Sequence, residues 1–275
     1  MNVLFVGTAS GAGKTTVSAM YCRYLYRNGV SVAPYKAVNL SLNSYVTREG
    51  KEIGIGQAFQ AWASGLEPSG DMNPVLLKPS GNGKIQTVLC GAPAGDVTEK
   101  KNMDVAAVSA AAYEAYDRLN SKYGTVVCEG SGSPVELNLM DRDIANTGLM
   151  RSRSVPTVLV GDIERGGAFA ALYGTWLLMP KDIRPLVKGF LINRFRGDAS
   201  LLDSGIRIIE DLTGMRYLGT IPYMCLKFPE EDSLSDSEGY LSGDNVKEAF
   251  MSNTDALLDA ALGAGVDFQA IERLS

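Results

Sequence analysis

Residues 7–16 read GTASGAGKTT, set between an apolar β-rich run over residues 1–6 and a stretch, 16–26, whose apolar residues recur at helical spacing. A glycine-rich turn between a strand and a helix puts backbone N–H groups and a helix N-terminus in front of an anion, the arrangement that cradles a triphosphate. In that arrangement Lys14 reaches the β- and γ-phosphates and the Thr15 hydroxyl coordinates Mg²⁺. Gly7, Thr8, Gly11, Ala12, Gly13 and Thr16 complete the expected cradle. The spacing G-x-x-x-x-G-K-[ST] is not met strictly, because Thr8 stands where its first glycine would be and Gly7 lies one place early.

Outward from the loop, short β-rich runs alternate with helical stretches. Strands are expected near residues 2–7, 30–35, 85–90, 124–129, 155–161, 187–193 and 216–221, and helices over 15–28, 54–65, 104–122, 166–178 and 200–213. This alternation predicts an α/β fold with a mostly parallel sheet of about seven strands and helices on both faces. Ligands in such sheets gather beyond the carboxyl ends of the strands. Residues 229–245 (PEEDSLSDSEGYLSGDN) read as an acidic surface loop, and 246–262 as a helix packing back on the domain, ended by Gly263 and Gly265. The expected organisation is one domain over 1–234, with the loop and helical tail of 235–275 packed on it.

Composition narrows the function. With 45% hydrophobic and 21% charged residues in 275, the chain can bury a full core, and its net charge of −5 argues against a general nucleic-acid binder. No apolar run approaches the roughly 18 residues of a membrane span, and the N-terminus lacks the basic start of a signal peptide. Cys22, Cys90, Cys128 and Cys225 show no C-x-x-C spacing, which favours a reduced cytoplasm over zinc or disulfides. There is no histidine. Chemistry here must rest on lysines, carboxylates, hydroxyls, backbone amides and a metal, which is what phosphoryl transfer requires.

Several chemically able residues stand at or just after expected strand ends. Lys36, in VAPYKAVNLSLNSY, is placed to lean over phosphates or over a carboxylate being activated; a solvated lysine is the plainer reading. Glu129 ends YGTVVCEG before Gly130, Ser131, Gly132 and Ser133, where a second Mg²⁺ contact is expected, unless it is a buried acid satisfied by backbone amides. In VLVGDIERGGAFA, Asp162, Arg165, Gly166 and Gly167 allow close backbone approach and an Arg165 clamp on a phosphate or substrate carboxylate, or else form a loop ion pair at a helix start. Asn193 ends LVKGFLIN, where its amide reads an adenine edge or makes a turn before Arg194. Glu52 and Asp71 are acids in the segment expected to cover the site, in reach of metal or substrate. Lys14, Lys36 and Glu129 are thus the catalytic candidates, and Thr15, Glu52 and Glu129 the metal candidates.

The stretches KAVNLSLNSYVT, EIGIGQAFQA, DMNPVLLKP, CEGSGSPVELNL, DIANTGL, LVGDIERGGAFA, VKGFLINRFRGD and PEEDSL resemble the synthetase half of the cobyric acid synthase family, within the dethiobiotin-synthetase-like P-loop group. That group's loop reads Gly-Thr-x-Ser/Thr-x-x-Gly-Lys-Ser/Thr, so the early Gly7 is expected. The resemblance covers roughly residues 1–234 and implies an ATP- and Mg²⁺-dependent ligase. It activates corrin carboxylates as acyl phosphates, which ammonia converts to amides, taking cobyrinic acid a,c-diamide to cobyric acid in cobalamin biosynthesis. It also implies that Lys36 faces phosphate, Glu129 binds Mg²⁺ and Asn193 reads the base. For the corrinoid surface, Ser41, Asn43, Ser44, Tyr45, Asn138 and Asp143 offer polar contacts, joined by Asp162 and Arg165.

Family members usually continue into a glutamine amidotransferase domain with a Cys-His pair, which these residues lack. The glutaminase is then a separate chain, the protein uses free ammonium, the sequence is a piece of a longer one, or amidation has been lost. The tail from Asp244 does not resemble the opening of a glutaminase domain, which argues against a piece. A homodimer is a further expectation open to such an enzyme. The rivals are the a,c-diamide synthase or dethiobiotin synthetase on the same fold, and a MinD/ParA-like nucleotide switch. The switch proteins carry an extra lysine early in the loop, where this chain has Ala9, Ser10, Gly11 and Ala12.

Overall fold

The apolar run that leads into the loop lies at the heart of the sheet. In the computed structural model, which describes residues 1–80, 84–97, 104–224 and 246–274, β1 (Asn2–Gly7) pairs in parallel with a strand on each side. Val3, Leu4, Phe5 and Val6 are buried on both faces, which explains why the strand reads as a continuous apolar run rather than an alternation.

Along the chain follow α1 (Lys14–Arg27), β2 (Ala33–Tyr35), β3 (Val38–Leu40), β4 (Ser44–Val46), β5 (Glu52–Gly54) and α2 (Ile55–Ala63). Next come β6 (Val75–Pro79), β7 (Ile85–Leu89), β8 (Ala92–Val97), α3 (Val105–Tyr123), β9 (Val126–Glu129), α4 (Thr147–Arg153) and β10 (Thr157–Asp162). The remainder is α5 (Ala168–Leu178), β11 (Val187–Phe195), α6 (Asp203–Thr213), β12 (Arg216–Pro222), α7 (Val246–Gly263) and α8 (Phe268–Glu272). The main sheet has six strands in the order β12-β11-β10-β1-β9-β2, every pairing parallel.

The pleat of β1 divides the interior in two. Leu4 and Val6 point into a core shared with α3, α4, α5 and α6, while Val3 and Phe5 point into one shared with α1, α2, α7 and α8. On the second side α7 locks down: Phe250 stacks on Phe59 of α2 with ring centroids 4.6 Å apart, and Asp255 takes a two-pronged pair from Arg23 of α1.

The run expected near 85–90 is a strand, but it does not join the main sheet. As β7 it lies in a second sheet of order β3-β6-β7-β8, antiparallel to both neighbours. The reason is the connection: Cys90 and Gly91 both adopt positive φ, 49° and 77°, and close a two-residue turn between Leu89 and Ala92. Such a turn folds the chain straight back, whereas a parallel neighbour needs a long crossover. A separate hairpin, β4–β5, lies between β3 and α2. The acidic run 229–245, with PEEDSL inside it, and Cys225 lie outside the described residues.

Candidate functional site

The loop between β1 and α1 is shaped by glycines whose replacement has no room. A Cβ on Gly7 would meet the Ala9 carbonyl at 2.9 Å, and one on Gly13, where φ is +94°, would lie 2.0 Å from Asn193 Nδ2. Gly13 caps α1 through its backbone alone; no side chain caps the helix and no acid stands in its first turn. The amide end of a 14-residue helix is therefore turned to the loop without an acidic side chain of its own, the electrostatic setting for a phosphate. Lys14 is 2% exposed and its Nζ donates to the Ala9 carbonyl at 3.2 Å, folded over the loop it serves. Asn193, from the end of β11, donates through Nδ2 to the Ala12 carbonyl at 2.9 Å and so fastens the loop to the neighbouring strands. Thr8 N–H donates to the Val160 carbonyl on β10 at 3.0 Å.

Register carries the second half of the site. Glu129, the last residue of β9, sits opposite Phe5 of β1, so its side chain emerges under the loop. Its carboxylate is fully buried. Oε1 accepts from Thr15 Oγ1 at 2.7 Å and from Lys36 Nζ at 3.0 Å; Oε2 accepts from Gln60 Nε2 at 2.6 Å and Gln57 Nε2 at 3.4 Å. Lys36 is equally buried, and its carbonyl accepts from Asn73 Nδ2 at 3.0 Å. A buried acid beside a buried cation is tolerable only when both are well bonded, and this carboxylate has a donor for each oxygen.

Thr15 Oγ1 and Glu129 Oε1 form a pair of adjacent hard oxygen donors. Mg²⁺ is held in this way, by one or two protein oxygens with phosphates and water filling the rest of an octahedron. The donors present fit that ion.

Other sequence candidates are engaged elsewhere. Glu52 does not join the Thr15–Glu129 pair: its carboxylate accepts from Ser44 Oγ at 2.6 Å and pairs with Lys78, and these partners, Lys78 first, hold its pKa below the usual glutamate value. Asp71 forms a two-pronged pair with Arg118 of α3. Asp143 is spent on the backbone, accepting from the N–H groups of Ala145, Asn146 and Thr147 and from Thr147 Oγ1 within 3.0 Å, which holds the chain entering α4. Asp162 pairs with Arg194 at 2.9 Å rather than with Arg165, which is exposed in the turn before α5. Ser41 Oγ is bonded within its own turn to Asn43, Tyr45 packs edge-on against Trp62 at 5.6 Å, and Asn138 is exposed between the exposed Leu137 and Leu139.

Sequence reasoning did not single out Gln57, Gln60, Asn73 or Arg194. The available signal was in IGQAFQAWA, where two glutamines three residues apart share one face of an otherwise apolar helix. Cys22 and Cys128 are no nucleophiles, since burial pushes the Cys22 thiol up to about 12 and the Cys128 thiol well above its ordinary value. A cleft of about 350 Å³ lined by Trp176, Lys181, Arg184 and Lys188 opens where β11 begins, at the opposite end of the parallel strands from Glu129. The nucleotide cradle is a turn of backbone amides, so a hollow of that size elsewhere does not mark the chemistry.

Residues 3–232 match the family described as CbiA, the CobQ/CobB/MinD/ParA nucleotide binding domain. Three similar proteins, each named probable cobyric acid synthase, come from Methanoculleus marisnigri, Archaeoglobus fulgidus and Methanocella arvoryzae. The first is 52% identical over 236 residues, covering 86% of this chain and 48% of the relative. The second is 51% identical over 234 residues, covering 84% and 50%. The third is 46% identical over 272 residues, covering 98% and 55%. The chain spans about half the length of the curated relatives it matches, and the likeness reaches past residue 234 into the tail in the Methanocella protein. Among solved structures, the signal recognition particle receptor FtsY from Elizabethkingia anophelis aligns at TM-score 0.47 and 13% identity over 91% of this chain and 65% of that one. The MinC:MinD cell division complex of Aquifex aeolicus aligns at 0.45 and 13% over 95% and 94%. No helix among the described residues is long and apolar enough to cross a membrane.

Proposed function

The chain belongs to the CbiA family of nucleotide-binding domains, and on that premise we propose that it is an ATP-dependent amide synthase acting on the peripheral carboxylates of a corrin ring. The observation that carries this reading is the meeting of Thr15, Lys36 and Glu129 beside the uncapped start of α1. Relatives near 50% identity are named probable cobyric acid synthase. The substrate in this reading is the one the family resemblance implies, cobyrinic acid a,c-diamide and its partly amidated successors in cobalamin biosynthesis.

In this reading a substrate carboxylate oxygen attacks the γ-phosphorus of ATP, the bond from that phosphorus to the bridging oxygen breaks, and ADP leaves. Ammonia then forms a C–N bond at the acyl carbon, phosphate departs with the C–O electrons, and the nitrogen gives up a proton. Lys14 turns from the Ala9 carbonyl to the phosphates, and the α1 amides bind their oxygens. Lys36 offsets charge as two anions approach. Thr15 and Glu129 would hold Mg²⁺, which supplies further neutralisation of phosphate charge. Asn193 keeps the loop in shape through Ala12, and reading an adenine edge is the second role we assign to it. Exposed Leu40, Leu42 and Val46 border Ser41, Asn43, Ser44 and Tyr45, an apolar rim suited to the face of a macrocycle.

These 275 residues contain no histidine, hence no Cys-His pair to release ammonia from glutamine. For these residues ammonia comes from outside them, as free ammonium, from a separate glutaminase or from a further domain of a longer chain, and the reaction we propose is a cytoplasmic one. The test is ADP release with ATP, Mg²⁺ and cobyrinic acid a,c-diamide, comparing ammonium with glutamine and weighing the corrinoid by mass spectrometry. The expected result is amide formation with ammonium and none with glutamine. No corrinoid-stimulated ADP release with ammonium would overturn the reading.

A further inference from the structure

We propose that Gln57 and Gln60 are positioning residues that aim Glu129 at the Mg²⁺ site, an inference that rests on the nucleotide reading above. A buried carboxylate offers two oxygens, and only one can face Thr15. Both glutamine amides donate to Oε2, which leaves Oε1 turned toward Thr15 and Lys36. Gln60 Nε2 also lies 3.3 Å from the Thr15 carbonyl, while Gln60 Oε1 is buried without a hydrogen-bond partner. All the hydrogen bonding of that side chain therefore runs through its nitrogen to the two residues that would hold the metal. Gln57 is held in turn by Asn39, whose Nδ2 donates to Gln57 Oε1 at 3.2 Å.

The mounting is rigid for reasons visible in α2. Residues 57 and 60 share one face, while Phe59 and Trp62, also three apart, lie against Phe250 of α7 with centroid distances of 4.6 and 6.5 Å. Rotating the helix to free the carboxylate would break that stack. The N-terminus of α2 is pinned as well. Gly54 N–H donates to Asn73 Oδ1 at 2.9 Å, and Asn73 Nδ2 donates to the Lys36 carbonyl. One asparagine thus ties together the two mounts, the Lys36 strand end and α2, that grip opposite sides of Glu129.

The test titrates Mg²⁺ at fixed non-hydrolysable ATP analogue, for the wild type, Gln60→Met and Gln57→Met, with analogue affinity in EDTA and thermal melting alongside. Gln60→Met should raise the half-saturating Mg²⁺ about tenfold, and Gln57→Met, which removes the longer bond, about threefold. Affinity for the analogue in EDTA should stay within about twofold, and Gln60→His, which keeps an N–H donor, should recover most of the loss. A folded Gln60→Met protein with wild-type Mg²⁺ dependence would overturn the inference alone, as would an equal loss in EDTA, the mark of a purely structural role. If Gln60→Met does not fold, Gln57→Met decides, with an unchanged Mg²⁺ requirement overturning the inference. A wild type that binds no nucleotide would sink the nucleotide reading and this inference together.

Discussion

Glu129 and Asp162 end parallel strands that flank β1, and each faces a cation, yet they are different objects. Glu129 is fully buried and gathers donors from α1, α2 and the end of β2. The Asp162 side chain is 20% exposed, has one cationic partner, Arg194, itself 21% exposed, and accepts one further bond from the Glu164 N–H. The contrast teaches that a strand-end acid becomes a site by what the helices on one face bring to it. Removing one member of a buried pair leaves an uncompensated charge, whereas a pair that water still reaches returns part of its charge to solvent.

The sharpest way to test the Glu129 side is Lys14→Ala, which should lower turnover by about a thousandfold, roughly 4 kcal/mol of transition-state stabilisation, with an unchanged melting curve as the control. Retained ATP-dependent product formation in that variant would sink the mechanism. Next in size, Lys36→Met strands a buried carboxylate and should cost about 3–5 kcal/mol, read as a Tm lower by about 10 °C. Asp162→Asn keeps the bond from Glu164 N–H and loses only the ion pair, so chemical denaturation should report a change of about 1 kcal/mol or less. A loss near that of Lys36→Met would break the comparison. The smallest effect concerns Glu52, whose folded pKa is lowered from its ordinary value near 4.5 by Lys78 and then Ser44. Its contribution is complete above that ordinary value and is lost as pH falls through the lowered one. The stability gap between wild type and Glu52→Gln should therefore shrink on acidification below that range, and a gap that grows would contradict the pairing.

Much of the frame was legible in the sequence, for a physical reason. Strands of the main sheet are buried on both faces, so residues 2–7, 155–161 and 187–193 read as apolar runs whatever their partners. The 85–89 run was legible as a strand but not in its sheet, since alternation fixes faces and not neighbours; the Cys90–Gly91 turn decided that. Three-residue strands such as 44–46 and 52–54 are too short to leave a period. In the site, the loop was legible because it is contiguous, and Lys36 and Glu129 stood out as charges at strand ends. Gln57 and Gln60 were not, because their meaning lies in Glu129, 72 and 69 residues away. The backbone bonds of Asp143 were not legible either, because an acid before a short helix can bind backbone as readily as substrate.

The central place of β1 has a consequence for how the chain is made. Its two neighbours, β9 and β10, begin at residues 126 and 157. At about 5–20 residues per second on the ribosome, the phosphate loop emerges roughly 10–30 s before the strand on its far side exists to receive it. During that interval an apolar strand with both edges open has only local contacts to shelter it, and non-local pairing of this kind is slow to form. The most sequence-specific element of the molecule is therefore synthesised well ahead of the strands that flank it.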